Sequence, residues 1–274
     1  MFELSRELMA GLALAVFWIH TLLIALAAVK DLRELAAMRR GLRELDSPRE
    51  GLGLIRARIV EGAGPEATLA RNVVAQVGRG KGDGKVHFSD ADHRSELHGG
   101  LVELASGERL RLDAGPAMVW PDLDERSRLA APSSPDHIAE VVPQARRGKG
   151  WKREVEVALG PGSEVWIGGR FSQAEAGWRV EPDAALGDRV LVAGIEPRAW
   201  LRGRNLLIAA FVFGTLSLAG VCTALALWPP VFGLLSMLGA AAALGFFLGV
   251  QPLGVTLNEQ VRTPDRAYLR GTWG

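Results

Sequence analysis

Residues 205–250 read NLLIAAFVFGTLSLAGVCTALALWPPVFGLLSMLGAAAALGFFLGV. Two apolar segments, 206–227 and 231–250, carry no ionisable side chain except the thiol of Cys222. Each is close to the roughly 20 residues that a helix needs to cross a ~30 Å hydrocarbon core. Pro229 and Pro230 between them cannot continue either helix, and Trp228 is the aromatic residue expected at a membrane surface. The stretch predicts a transmembrane helical hairpin.

A third apolar segment lies near the N-terminus, at residues 8–29. Its length exceeds the ~7–15 residues of a secretory signal, and its positive charge follows it rather than precedes it. Ala25 and Ala27 resemble a cleavage site, but Glu3 and Glu7 offset the charge of Arg6. We therefore expect an uncleaved anchor, and three transmembrane α-helices in all: one N-terminal helix and a C-terminal hairpin.

Basic residues near the ends of these segments predict the orientation. Arginine or lysine follows the first segment, precedes the second and follows the third, whereas the loop at Trp228 has none. By the positive-inside rule, the N-terminus and the hairpin tip face outward, while the central region and the C-terminal tail face the cytosol. The chain is much richer in arginine than in lysine, which suits a bacterial source with a GC-rich genome and hence a bacterial cytoplasmic membrane.

The predicted boundaries are an anchor at 1–30, a juxtamembrane amphipathic helix at 31–50, a β-rich soluble domain at 51–197, the hairpin at 198–250 and a tail at 251–274. The juxtamembrane helix is expected over residues 31–46. Its apolar stripe comprises Leu35, Met38, Leu42 and Leu45. We expect this stripe to pack against the β domain or to lie on the lipid headgroups; a short coiled-coil seam between subunits is the alternative.

The central region is predicted to be all-β, a barrel or a sandwich. Val155, Val157 and Leu159 alternate with less apolar residues, which is the period-two pattern of a sheet with one buried face. The predicted strands cover residues 54–60, 69–77, 84–88, 100–104, 109–112, 117–120, 138–142, 153–159, 164–171 and 189–193. Residues 160–163, GPGS, predict a hairpin turn, and Ser106 with Gly107 predicts another.

The layout of residues 51–227 resembles the GIDE/MULAN type of membrane protein. The order of features is the same. A leading span is followed by a β domain, which contains the turn at Ser106 and Gly107 into residues 109–113 and the segment EVEVALGPGSEVWIG at 154–168; the run PRAW at 197–200 comes last. The resemblance implies a β domain of the kind described as lying beside a membrane. Eukaryotic members are mitochondrial ubiquitin ligases whose activity depends on a C-terminal RING.

A RING needs two zinc sites with about eight Cys and His ligands. Residues 251–274 contain neither Cys nor His, so the ligase chemistry does not carry over. The resemblance is therefore to prokaryotic members that have the β domain without the RING. The single cysteine, Cys222, excludes an intrachain disulfide and a multi-cysteine zinc site.

Two polar segments of the β domain are candidates for binding. Residues 78–85, GRGKGDGK, lack the Walker A spacing, so a flexible hairpin loop bearing Arg79, Lys81 and Lys85 is expected, with weak anion binding as the alternative. Residues 87–98 contain His87, His93 and His98 with interspersed acids. We interpret this run as a solvated loop rather than a metal site, because its spacing matches no established ligand set.

Two features of the apolar segments are also candidates. His20 lies near the middle of the first segment and is expected to hydrogen-bond to Thr215, Ser217, Thr223 or Ser236; a proton-sensitive or ligand-gated switch is the alternative. Ala241, Gly245 and Gly249 recur every four residues, and Gly11 with Ala15 makes a similar pair. Such faces permit close helix packing, within one chain or between copies.

Two functions remain open from the sequence. The first is a non-enzymatic membrane protein whose cytosolic β domain is an interaction or sensing module next to the bilayer. The second is an oligomeric transport or gating subunit regulated by the β domain. The net charge of +1 gives no electrostatic case for nucleic acid, and no cofactor is expected. The expected partners are the lipid bilayer and either another protein or a second copy of the chain.

Overall fold

The computed structural model describes residues 6–80, 86–122, 151–174 and 177–266. The chain divides into two compact units. A helical unit comprises Met1–Ala36 and Leu201–Val261, and a β unit comprises Ala37–Trp200 and Arg262–Gly274. The predicted combination of three long apolar helices with a central β domain is confirmed.

The three helices are α1 (Arg6–Gly41), α2 (Pro197–Ala226) and α3 (Leu234–Val261). Each is long and apolar enough to cross a membrane. α3 extends beyond residue 250, where the sequence analysis ended the third span, and contains Pro252 in its interior. Neighbouring helices make such a proline tolerable in a membrane, because they help to satisfy the backbone groups that it leaves unpaired.

Side-chain contacts hold the helical unit together. The Phe17 and Phe246 rings meet edge to face with centroids 5.6 Å apart, which joins α1 to α3. The indole of Trp18 donates a 3.0 Å hydrogen bond to Thr223 Oγ1, which joins α1 to α2. The hydroxyl of Ser236 donates a 2.7 Å hydrogen bond to the carbonyl of Ala226 and so closes the hairpin between α2 and α3.

The β unit has ten strands in the described part of the chain. They are β1 (Gly51–Gly62), β2 (Ala70–Gly80), β3 (Val86–Leu97), β4 (Gly100–Leu104), β5 (Arg109–Leu112), β6 (Ala117–Trp120), β7 (Trp151–Leu159), β8 (Glu164–Ala174), β9 (Gly177–Glu181) and β10 (Val190–Ala193). The strand expected at 138–142 lies outside the described residues.

Five strands close into a barrel in the order β1-β4-β5-β9-β8, with β8 returning to β1. The β5–β9 pairing is parallel and the other four are antiparallel. This is the strand order of the five-stranded Greek-key barrel called the OB-fold. One edge of β8 pairs with β1, while its other edge pairs first with β10 and then with β9. The sheet therefore branches at β8, and β6 extends it beside β10.

Apolar side chains from the strands fill the barrel. Fully or almost fully buried members include Ile59, Val102, Leu110, Ile167 and Phe171. They alternate with exposed residues, as in β5, where Leu110 and Leu112 are buried and Arg109 and Arg111 are exposed. Closure removes the unpaired edges that a small open sheet would leave, which is the usual advantage of a barrel.

A second sheet has the order β3-β2-β7 and is antiparallel throughout. β3 includes the histidine-containing run that the sequence analysis interpreted as a solvated loop, so that interpretation was wrong. The run pairs with β2 as far as Leu97, except at one bulged residue, and backbone pairing with an apolar neighbour compensates for its weak strand propensity. β9 is a further strand that the sequence analysis did not predict.

The juxtamembrane helix also differs from prediction. α1 runs without a break from the apolar segment but ends at Gly41 rather than at residue 46. The following residues are extended: Leu45 N–H donates to the carbonyl of Leu54, and Leu54 N–H donates to the carbonyl of Arg43. Leu42 is fully buried, and Leu45 packs on the barrel core. For these two leucines, the prediction that the stripe packs against the β domain is confirmed.

Candidate functional site

Asp90 and His93 form a polar group on the second sheet. Gln76 Nε2 donates a 2.6 Å hydrogen bond to Asp90 Oδ1, and His93 Nε2 lies 3.5 Å from Asp90 Oδ2. A β-bulge explains how residues three apart in a strand share a face: Ala75 pairs with Asp92 but Gln76 pairs with Asp90, so Ala91 is the extra residue. The residue types of this group are visible in the sequence, but the bulge that brings Asp90 and His93 to the same face is not.

The other members of the polar run do not join this group. His98 Nε2 lies 4.0 Å from Glu96 Oε2 and packs beside Gly64. Arg79 pairs through its backbone with His87, at the described end of the β2–β3 hairpin. Lys81 and Lys85 lie outside the described residues. Among the side chains that the structure describes, no three His, Cys, Asp or Glu residues converge as metal ligands.

A buried polar network secures the segment that follows α3. Asn72 is fully buried, and its Nδ2 donates a 3.2 Å hydrogen bond to the carbonyl of Asp265. The Asp265 side chain is also buried and lies 3.9 Å from Arg189 Nη1. Ser95 Oγ accepts a 3.2 Å hydrogen bond from the backbone N–H of Val119. The signal for this network in the sequence is Asn72 itself, a polar residue in a largely apolar strand. The sequence analysis did not single it out.

A pair of exposed arginines lies on the outer wall of the barrel. Arg111 on β5 and Arg179 on β9 are direct partners in the parallel pairing of these strands. Arg111 Nε lies 3.8 Å from Asp113, whereas Arg179 makes no ion pair with a residue that the structure describes. Like charges directly opposite each other destabilise a sheet. The pair is not visible in the sequence, because β9 is far from β5 along the chain.

Arg71 and Arg94 on the second sheet form ion pairs with carboxylates. Arg71 on β2 contacts Glu96 at 2.6 Å and Glu156 at 3.4 Å, and the hydrogen bond to Glu96 raises the pKa of the guanidinium. Arg94 contacts Glu154 at 2.6 Å. These pairs cross the three strands of the second sheet, so both arginines lie next to carboxylates. Arg71 and Arg94 therefore have carboxylate partners, whereas Arg179 makes no ion pair with a described residue.

His20 does not have the hydrogen-bond partner that the sequence analysis expected. Its ring lies 4.5 Å from the ring of Phe247, and its Nε2 atom is buried without a partner among the described residues. Thr223 and Ser236, two of the proposed partners, bond to Trp18, Ala219, Phe232 and Ala226 instead. The physical reason is the face of α1 on which His20 lies: it faces Phe247 of α3, whereas Trp18, two residues earlier, faces Thr223 of α2.

Gly245 and Gly249 face open space within the chain. A Cβ atom built on either glycine meets nothing within 4 Å, and the same holds for Gly11. Gly239 is the close-packed glycine of α3, because a Cβ there would press on the backbone of Ala226 and lie 2.6 Å from the Leu225 carbonyl carbon. The GxxxG face is therefore not used for packing within the described helical unit and remains available to a second copy.

This difference gives a matched pair of substitutions. Gly239→Ala is expected to destabilise the hairpin by about 1–3 kcal/mol, because the methyl group overfills a tight backbone contact. Gly245→Ala should leave the stability of the monomer unchanged. The measurement is the apparent melting temperature of the full chain in detergent. Equal shifts for the two variants would contradict the assignment of Gly239 as the packed position.

No protein-family model, curated protein or solved structure matches the chain.

Proposed function

We propose that the chain is a non-enzymatic integral membrane protein whose β unit is an interaction module for an acidic segment of another protein. The membrane assignment follows from three helices long and apolar enough to span a bilayer. The interaction role is supported above all by Arg111 and Arg179. Two exposed cations at paired positions of neighbouring strands present a locally positive surface, which favours an anionic partner.

The position of the pair on the barrel also supports this role. In OB-fold barrels, the face formed by the second and third strands is a frequent binding surface. Those strands correspond here to β4 and β5, and Leu101 on β4 pairs directly with Arg111. Arginine suits such a surface because its planar guanidinium binds carboxylates through two hydrogen bonds.

The proposal includes the cellular setting. We place the protein in a bacterial cytoplasmic membrane, with its N-terminus outside and its β unit in the cytosol, as the distribution of basic residues favours. We further propose kinship with RING-less members of the GIDE/MULAN type, on the order of span, β domain and closing helices. This kinship is an argument from layout, and the interaction role does not depend on it.

An oligomeric transport or gating subunit is the second candidate. The observation that favours it is the open face at Gly245 and Gly249, since small residues let helices of different copies approach closely. In that case the contacts that matter lie between copies in the membrane. The arginine pair would then be a minor feature of a regulatory domain.

Photo-crosslinking in intact membranes separates the two candidates. A benzophenone amino acid at Leu101, beside the arginine pair, is expected to capture a distinct protein, which mass spectrometry identifies. The double variant Arg111→Glu and Arg179→Glu should reduce capture by about tenfold or more, because both attractive charges become repulsive. Raising the salt concentration should weaken capture of the unmodified protein, since exposed charges are screened.

Arg49→Glu serves as the matched control. Arg49 is exposed in the same unit and changes the charge in the same direction, but it lies outside the barrel wall. It should leave capture unchanged. Crosslinks only between copies of the chain, or a loss of capture that Arg49→Glu reproduces, would contradict the interaction module in this form.

A further inference from the structure

A slot with polar groups at both ends runs along the helical unit between α1 and α3. Its volume is about 470 Å³, and Phe211 of α2 contributes to its wall. On α1 it extends from His20 to Asp31, a rise of about 16 Å. It therefore reaches from the middle of the first apolar segment to the end of that segment.

The walls of the slot are small or apolar, which leaves room between the helices. Ala27, Ala28 and Gly254 line it, and a Cβ atom on Gly254 would make an ordinary van der Waals contact with the Ile24 side chain, at 3.5 Å. α1 and α3 touch at Phe17 and Phe246 above His20, and they approach again below it where Gly254 faces Ile24. The space is a consequence of these small side chains.

Polar groups lie at both ends of the slot. Lys30, Asp31 and Asn258 form the end near the basic flank of α1, and His20 and Gln251 lie deeper. Pro252, next to Gln251, has no N–H, so the usual helical hydrogen bond to the carbonyl of Leu248 cannot form near this level. Polar groups within a membrane span are costly unless they are satisfied.

His20 is the group that most needs a partner. Its Nε2 atom is buried and has no hydrogen-bond partner among the described residues. Nearly all buried polar atoms in proteins have one, and a lipid chain supplies none. Water can supply it, because the slot is polar at both ends and far larger than the ~30 Å³ that one water molecule occupies in the liquid.

We propose that this slot is a water-filled access path that hydrates His20 from the Lys30 end of the helical unit. The path places a titratable imidazole inside the membrane in contact with water from one side only. The charged groups that line it are Lys30 and Asp31 on α1, while Phe211 on α2 and Gln251 and Asn258 on α3 are uncharged. The inference does not depend on the interaction role of the β unit.

Cysteine accessibility tests the path, and the chain suits the method because Cys222 is its only cysteine. In a Cys222→Ala background, Ile24→Cys and Gly254→Cys place a thiol in the slot. Their immediate neighbours give the controls Leu23→Cys and Leu253→Cys, at side chains that are 62% and 60% exposed on the outer surface of the unit. The probe is a thiosulfonate with a fixed positive charge, which reacts only where water reaches the thiol.

The probe is added to membrane vesicles on the side of Lys30, and modification is followed by mass spectrometry. Ile24→Cys and Gly254→Cys should react at least about tenfold faster than their controls. Adding Ala27→Trp, which fills the slot, should return Ile24→Cys to the control rate. Elution as a single species in detergent shows for each variant that the chain is folded.

Equal, slow rates within each pair would overturn the proposal, because they would mean that lipid chains fill the slot or that it is closed. Faster reaction from the side of Trp228 would overturn it as well, since access would then come from the opposite end. These reaction rates do not depend on whether the β unit binds a partner. Either proposal can therefore be contradicted without the other.

Discussion

Gly100→Ala is expected to destabilise the β unit by roughly 3 kcal/mol or more, through backbone strain and steric overlap together. Gly100 has a φ of +151°, a conformation that L side chains rarely adopt. A Cβ atom there would also press on the carbonyl oxygen of Glu61 and lie 2.9 Å from Gly62 Cα. The backbones of β1 and β4 approach so closely at this point that neither can move without opening the barrel.

Gly107→Ala is the matched control for this prediction. Gly107 also has a positive φ, +83°, but a Cβ atom on it meets nothing within 4 Å. It should cost only the conformational strain, about 1–2 kcal/mol. The measurement is the apparent melting temperature of the full chain in detergent, where the Gly100 variant should fall well below the Gly107 variant. Equal losses would show that overlap at the β1–β4 contact contributes nothing.

Trp120→Ala is expected to cost about 3–5 kcal/mol, the usual range for removing a large buried aromatic side chain. Trp120 ends β6 and is fully buried, and its ring packs against Trp200 with centroids 5.2 Å apart and planes inclined by 59°. Both residues belong to the β unit, so the loss should appear in the unfolding of that unit.

Trp120→Phe sharpens the test. The indole Nε1 of Trp120 is buried without a hydrogen-bond partner among the described residues, so phenylalanine removes an unsatisfied donor while it keeps most of the ring contact. It should be clearly less destabilising than alanine. Calorimetry of the full chain in detergent measures the stability of both variants. The control is Trp228→Ala, at a 55% exposed position of the hairpin loop, which should leave the unfolding temperatures of both the helical unit and the β unit unchanged. Equal losses for alanine and phenylalanine would argue against ring packing as the cause.

Most of the secondary structure could be predicted from local sequence. The apolar segments identify three spanning helices because a membrane helix must satisfy its own backbone and present apolar side chains over a fixed length. β4, β5 and β6 begin and end where their patterns predict. The prediction for the polar run at 87–98 was wrong because β3 is a strand through its pairing with β2. The composition of the run does not encode that contact.

The candidate sites were less predictable than the elements. His93 was singled out by its type, but its neighbour Asp90 reaches the same face only through a bulge. Arg111 and Arg179 were not singled out, because the strand order that joins them is a property of the closed barrel. Gly245 and Gly239 look alike in sequence, yet only Gly239 touches another helix backbone within the chain.

The sequence by itself determined that the chain has three spans and a central β domain, since both follow from short-range periodicity and length. Tertiary structure decided the closure of the barrel at β8, the burial of Asn72 against Asp265 and the slot that leads to His20. Each of these joins residues far apart in the chain. Their geometry depends on how side chains pack when the elements meet, which no local pattern records.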